Sequence, residues 1–180
     1  MTLSAAELLE GISPETLSEI IDTNPGLVSP LFGYVAEYRL KRYLEGLQGV
    51  SKVEKIPEHS KARGDFLVTY EGETYAVESK CVKSSGLVED KIHLETSGVV
   101  LLKLTDSRAF EGGRTASMDK GEYDVLAVCT RALTGTWDFW FINNKRLPSS
   151  PQHPSLLATQ FKVTPGVTPF LFHEFSLALA

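Results

Sequence analysis

Residues 64–82, GDFLVTYEGETYAVESKCV, constrain this chain more than any other stretch. Two runs of strand-forming residues, Asp65–Tyr70 and Thr74–Val82, flank Glu71-Gly72-Glu73, and alternation around a glycine turn reads as a β-hairpin. Antiparallel pairing centred on Gly72 sets Asp65 opposite Ser79, within one register step, between Glu78 and Lys80. Glu78 and Lys80 are two apart and share a face with Ala76 and Val82, while Val77, Ser79 and Cys81 point the other way. Two carboxylates and an ammonium are thus brought into a small patch with apolar neighbours. Carboxylates that close repel unless a cation lies between them, and hard oxygen ligands suit Mg²⁺. A lysine beside them can orient or deprotonate a water, or stabilise charge on a phosphate. A cross-strand salt bridge from Lys80 to Asp65 or Glu78 is the plainer alternative.

Upstream the apolar period is helical. Residues 31–47 carry Glu37, Leu40, Leu44 and Leu47 at 3-4-3 spacing, so Glu37 lies on or beside a leucine stripe. Before them, residues 1–30 read as two short helices. Ser4 to Glu7 has capping-box spacing, Ser13-Pro14 starts the second helix and Asn24-Pro25-Gly26 ends it. Downstream, Val50–Ile56, Gly98–Thr105, Tyr123–Thr130 and Trp137–Asn143 read as strands, with Trp137, Phe139 and Phe141 as core packing. Residues 83–97 read as a loop or short helix, and Asp106–Lys120 as a loop. The order of elements predicts an α/β (α+β) single domain: a mixed β-sheet core flanked by helices over residues 31–180, with a helical extension over residues 1–30.

The 180 residues include 18 Lys+Arg and 23 Asp+Glu, for a net charge of −5. The excess acid sits in residues 1–30, which hold Glu7, Glu10, Glu15, Glu19 and Asp22 and no basic residue. Residues 31–63 carry seven basic against four acidic residues, a local basic face able to meet phosphates. No apolar run is long enough to span a bilayer and no secretory signal is visible. Cys81 and Cys129 lack partners at metal spacing and read as reduced, buried thiols of a cytoplasmic protein. His59, His93, His153 and His173 show no zinc or triad spacing, and Gly112-Gly113 lacks a phosphate-loop Gly-Lys-Ser/Thr.

The pattern resembles the PD-(D/E)XK nuclease superfamily, whose fold is that of many restriction endonucleases and Holliday-junction resolvases. In it, a helix often bearing an acid precedes a strand opening with Asp and a next strand bearing Glu-x-Lys. Glu37 matches the helix acid, Asp65 the Asp, and Glu78-Ser79-Lys80 the Glu-x-Lys. The strands around Tyr123–Val128 and Trp137–Asn143 look like the later core strands, so the resemblance spans roughly residues 31–147. Gly64 replaces the family's proline, and the helix expected after Glu-x-Lys has no clear counterpart.

The resemblance implies a restriction endonuclease-like fold and a metal-dependent deoxyribonuclease. Asp65 and Glu78 would bind Mg²⁺, with Mn²⁺ as a substitute; Lys80 would position or activate water, and Glu37 would hold a second metal or reach the first through water. DNA is the expected partner, with Arg39, Arg42, Lys61, Arg63, Lys103 and Arg108 as weaker candidate contacts, and a homodimer is expected for cutting both strands. No membrane and no small-molecule cofactor are expected. The rival readings are a non-catalytic nucleic-acid or protein-interaction module on the same fold, and a resolvase or repair nuclease.

Overall fold

The computed structural model describes residues 9–57, 63–90, 95–110, 113–164 and 168–180, with the backbone alone for 84–90, 95–96, 103–110 and 113–116. The chain divides into two compact units, Met1–Val35 and Ala36–Ala180. The first holds helix α1 (Pro14–Thr23) and a 3-10 turn at Pro25–Leu27. Ser13 caps α1 by accepting the Thr16 N–H, with Pro14 at the first helical position, as its sequence requires. The capping pattern from Ser4 to Glu7 lies outside the described residues. Helix α2 runs Val28–Glu45 and buries Ala36, Leu40 and Leu44.

The second unit is a mixed sheet flanked by helices, the architecture expected for the chain. Its strands are β1 (Val50–Lys55), β2 (Phe66–Tyr70), β3 (Glu73–Asp90), β4 (Glu95–Leu101), β7 (Val125–Cys129), β8 (Phe139–Asn143) and β9 (Gln160–Val163). The path β1-β2-β3-β4-β9 is antiparallel throughout, while β7 joins β3 in parallel and pairs antiparallel with β8. A separate ribbon is formed by β5 (Lys103–Phe110) and β6 (Gly113–Ser117). Helices α3 (Arg131–Thr134) and α4 (Phe175–Leu179) are short.

Three stretches differ from expectation, the first being Gly98–Thr105, which is divided at Leu102 between β4 and β5 of different sheets. The polar residues of 83–97 extend β3 and open β4, and much of Asp106–Lys120 lies in β5 and β6. Pairing with a neighbour, a tertiary effect, overrides their weak strand propensity. Among the described residues no helix stands between β3 and β7, and strands occupy the place where the family pattern has one.

Strand register separates the two sheet faces. Val77, Ser79 and Cys81 share a face with Val125, Ala127 and Cys129 of β7 and with Asn143, Phe141 and Phe139 of β8. Tyr43 of α2 packs on this face, with ring centroids 5.9 Å from Phe141 and 6.0 Å from Phe139. The two free thiols, Cys81 and Cys129, are register partners here. The opposite face carries Glu78 and Lys80 beside Leu126, Val128 and Ile142, whose side chains join the main core with Val82, Val100, Leu102 and Leu157.

Candidate active site

Glu71 and Gly72 form the turn of the β2–β3 hairpin, with φ of 49° and 90°. Two successive left-handed residues match a two-residue turn, which pairs Tyr70 with Glu73 and Phe66 with Val77. The register therefore sits one step from pairing centred on Gly72. At its open end, the Asp65 N–H also donates to the Val77 carbonyl at 2.8 Å. Two successive residues, Asp65 and Phe66, thus face one residue of β3, a bulge of the kind that re-aims a side chain. Gly64 precedes it at φ +87°, where a Cβ would lie 3.0 Å from the Val77 carbonyl oxygen. Proline, fixed near φ −65°, has no access to this conformation, so the departure from the family pattern at Gly64 has a structural reason.

The bulge turns the Asp65 carboxylate along the strand. Its Oδ2 accepts the Ser79 N–H at 2.8 Å, which fixes it at the peptide between Glu78 and Lys80. Glu78 is 6% exposed, and its Oε1 lies 2.5 Å from Lys80 Nζ. Burial first, with the charges of Asp65 and Glu122, raises the Glu78 carboxyl to about 7 against the downward pull of Lys80. Burial acts to lower the Lys80 ammonium, but the charge and hydrogen bond of Glu78, with the charges of Asp65 and Glu37, hold it above the ordinary lysine value. Lys80 is therefore a stable cation at neutral pH.

Glu37 reaches this group through a residue that sequence reasoning did not single out. Lys55, at the end of β1, lies 2.6 Å from Glu37 Oε2 and 3.5 Å from Asp65 Oδ1. Burial acts to lower the Lys55 ammonium and is outweighed by its hydrogen bond to Glu37 and the charge of Asp65, so it too stays protonated. Its ammonium also stands 5.0 Å from the centre of the Phe66 ring. The separation of Lys55 from Glu37 by 18 residues gave no local signal. Glu122, whose charge Glu78 feels and whose carboxylate accepts the Asp119 N–H, was likewise missed.

The candidate DNA contacts scatter. Arg39 lies over the Trp137 ring, Arg42 is paired with Glu45, and Arg63 is exposed just before the bulge. Lys61 lies outside the described residues. Lys103 and Arg108 are in β5, whose side chains are outside the description. Trp137 precedes β8 and is half-buried, so unlike Phe139 and Phe141 it is not a core residue.

Among the described residues no three His, Cys, Asp or Glu side chains converge as a ready-made metal cage. Two carboxylates with hard oxygen donors, those of Asp65 and Glu78, stand near enough for the charge of Asp65 to act on Glu78, with Asp65 tied to the Ser79 N–H next along the chain. That set fits Mg²⁺, which keeps several waters and is held by one or two carboxylates plus substrate phosphates. The discomfort of a buried Glu78 beside Asp65 is what a divalent cation relieves. Among the described residues no helix is long and apolar enough to cross a membrane.

No family model and no curated protein matches the chain. Among solved structures, the chain is similar to a bacterial homing endonuclease, I-Ssp6803I, with a TM-score of 0.48 and 13% identity over 78% of this chain and 80% of the other.

Proposed function

We propose that this chain is a Mg²⁺-dependent DNA endonuclease of the PD-(D/E)XK type, with Asp65, Glu78 and Lys80 as its catalytic group. The observation that carries the reading is the tie between Asp65 and the Ser79 N–H, which brings one carboxylate to the main chain between a buried Glu78 and its lysine. A solvated salt bridge has no need of a second carboxylate there, nor of a glycine-borne bulge to place it.

Asp65 and Glu78 would hold the cation, which when bound supplies charge neutralisation at the scissile phosphate. Lys80, protonated at neutral pH, donates hydrogen bonds to the attacking water or a phosphate oxygen rather than acting as a base. Water attacks phosphorus and releases a proton to bulk solvent, the bond to the 3′ oxygen breaks, and that oxygen takes a proton from solvent, leaving a 5′ phosphate and a 3′ hydroxyl. Lys55 acts one step back: it fixes Asp65 and Glu37 in one ion-paired row, so Glu37 is a positioning group here. One site cuts one strand, and two chains acting as a homodimer would cut a duplex.

The test is cleavage of supercoiled plasmid and of branched DNA with Mg²⁺, with Mn²⁺ and with EDTA, with Asp65→Ala alongside. Metal-dependent cutting lost in the variant supports the assignment, and the preferred substrate separates restriction from resolvase roles. Cutting that persists in EDTA, or in Asp65→Ala, contradicts it.

A further inference from the structure

Apart from the carboxylate group, one cluster sets two cations on a single aromatic ring. Trp137, half-buried between α3 and β8, carries two guanidinium groups: Arg39 of α2 with Cζ 4.9 Å from the ring centre, and Arg131 of α3 at 5.7 Å. Both arginines are exposed at the surface. Their Cζ atoms are therefore at most about 11 Å apart, comparable to a Debye length of roughly 10 Å at 0.1 M salt, and they repel.

Among the described residues, Lys41, Arg42, Lys52, Lys55 and Lys80 each have a carboxylate at ion-pair distance; Arg39 and Arg131 have none, like Arg63, Lys83, Lys120, Lys145, Arg146 and Lys162, but of these Arg39 and Arg131 alone share one aromatic ring. Asp138, next to Trp137 in the chain, takes the Thr136 hydroxyl. The indole gives each guanidinium a cation–π contact, which restricts it before any ligand arrives. Two held, like-charged forks lacking an anion are a binding arrangement for one, and a guanidinium fork matches phosphate oxygens.

We propose that Arg39, Trp137 and Arg131 form a clamp for a backbone phosphate of nucleic acid, outside the catalytic group. The choice of nucleic acid as the phosphate's source rests on the nuclease reading. Arg131 follows β7 three residues after Val128, the register partner of Lys80. The clamp meets phosphate rather than base edges, so it positions nucleic acid without reading sequence.

The experiment is binding of a fluorescein-labelled duplex by the full chain, followed by anisotropy in EDTA over a range of salt. Wild type is compared with Arg39→Gln, Arg131→Gln, the double variant and Lys162→Gln, an exposed lysine on β9 that controls for loss of one charge. Thermal melts confirm that each variant folds. Each arginine change lowers the slope of log K against log[salt] by up to about one and weakens binding by up to roughly eightfold at 0.1 M salt, and the double variant loses about one in slope altogether, because both arginines meet one phosphate. Lys162→Gln leaves the slope unchanged.

An unchanged slope in both arginine variants, losses equal to those of Lys162→Gln, or no duplex binding by wild type overturns the clamp. Because no metal is present, the two proposals fail separately. Arginine-dependent binding by a protein that never cuts retains the clamp and ends the nuclease reading. Metal-dependent cutting with indifferent arginines does the reverse.

Discussion

The Asp65 carboxylate accepts the Ser79 N–H at 2.8 Å, so an acid at the mouth of one strand is anchored to the main chain between Glu78 and Lys80 of the next. A regular hairpin end would not do this. The bulge at Asp65–Phe66 and the left-handed Gly64 before it supply the displacement. The geometry of the candidate site is therefore held by backbone, with the side chains following.

Gly64→Ala tests that dependence. At φ +87° any L side chain is strained, and the new Cβ meets the Val77 carbonyl oxygen at 3.0 Å, with main chain that yields little. The expected loss is about 1–3 kcal/mol of stability. Activity should fall further than stability accounts for, because Asp65 is displaced. Denaturant titration and plasmid cleavage under conditions where the variant is fully folded measure the two effects.

Glu78 gives the protein a pH-dependent stability. Its carboxyl is raised to about 7 when folded, from an ordinary value of 4.5. The folded state thus binds the proton more tightly than the unfolded chain. The resulting stability is present below about pH 4.5 and is lost as pH rises through about 7. In EDTA the loss between pH 5 and 8 is on the order of 3 kcal/mol, at 1.36 kcal/mol per unit. Lys80 stays charged across this window and adds nothing to the slope. Glu78→Gln removes the dependence, so the difference between variant and wild-type unfolding curves grows with pH; parallel curves contradict the raised carboxyl.

Lys55→Met separates positioning from stability. The Lys55 side chain is 37% exposed, so losing its ion pairs changes stability by less than about 1 kcal/mol. Asp65 and Glu37 lose their common partner, and cleavage or metal affinity is expected to fall about tenfold, as for groups that orient metal ligands. Thermal melts and the Mg²⁺ dependence of the rate check both halves.

Much of this was legible in the chain. The 3-4-3 leucine stripe located α2, and alternation around Gly72 located the hairpin and the shared face of Glu78 and Lys80. Two things were not legible. The polar, Gly- and Ser-containing stretches over 83–97 and 106–120 became strands because distant segments pair with them, which a local window does not register. The bulge depends on the φ of one glycine, and the row Glu37–Lys55–Asp65 on helix and sheet meeting in space. Trp137 alternates with Phe139 and Phe141 in sequence, yet it precedes β8 and carries two arginines rather than the core.

The most direct measurement is single-turnover plasmid cleavage with Mg²⁺ by wild type and Lys80→Ala, each checked for folding by circular dichroism. Lys80 donates its charge beside Glu78 at 2.5 Å and has no described substitute at that spot. Removing it should lower the rate by at least 10²-fold while the fold persists, the scale for one positioned catalytic group. A folded Lys80→Ala protein that cuts at the wild-type rate contradicts the account.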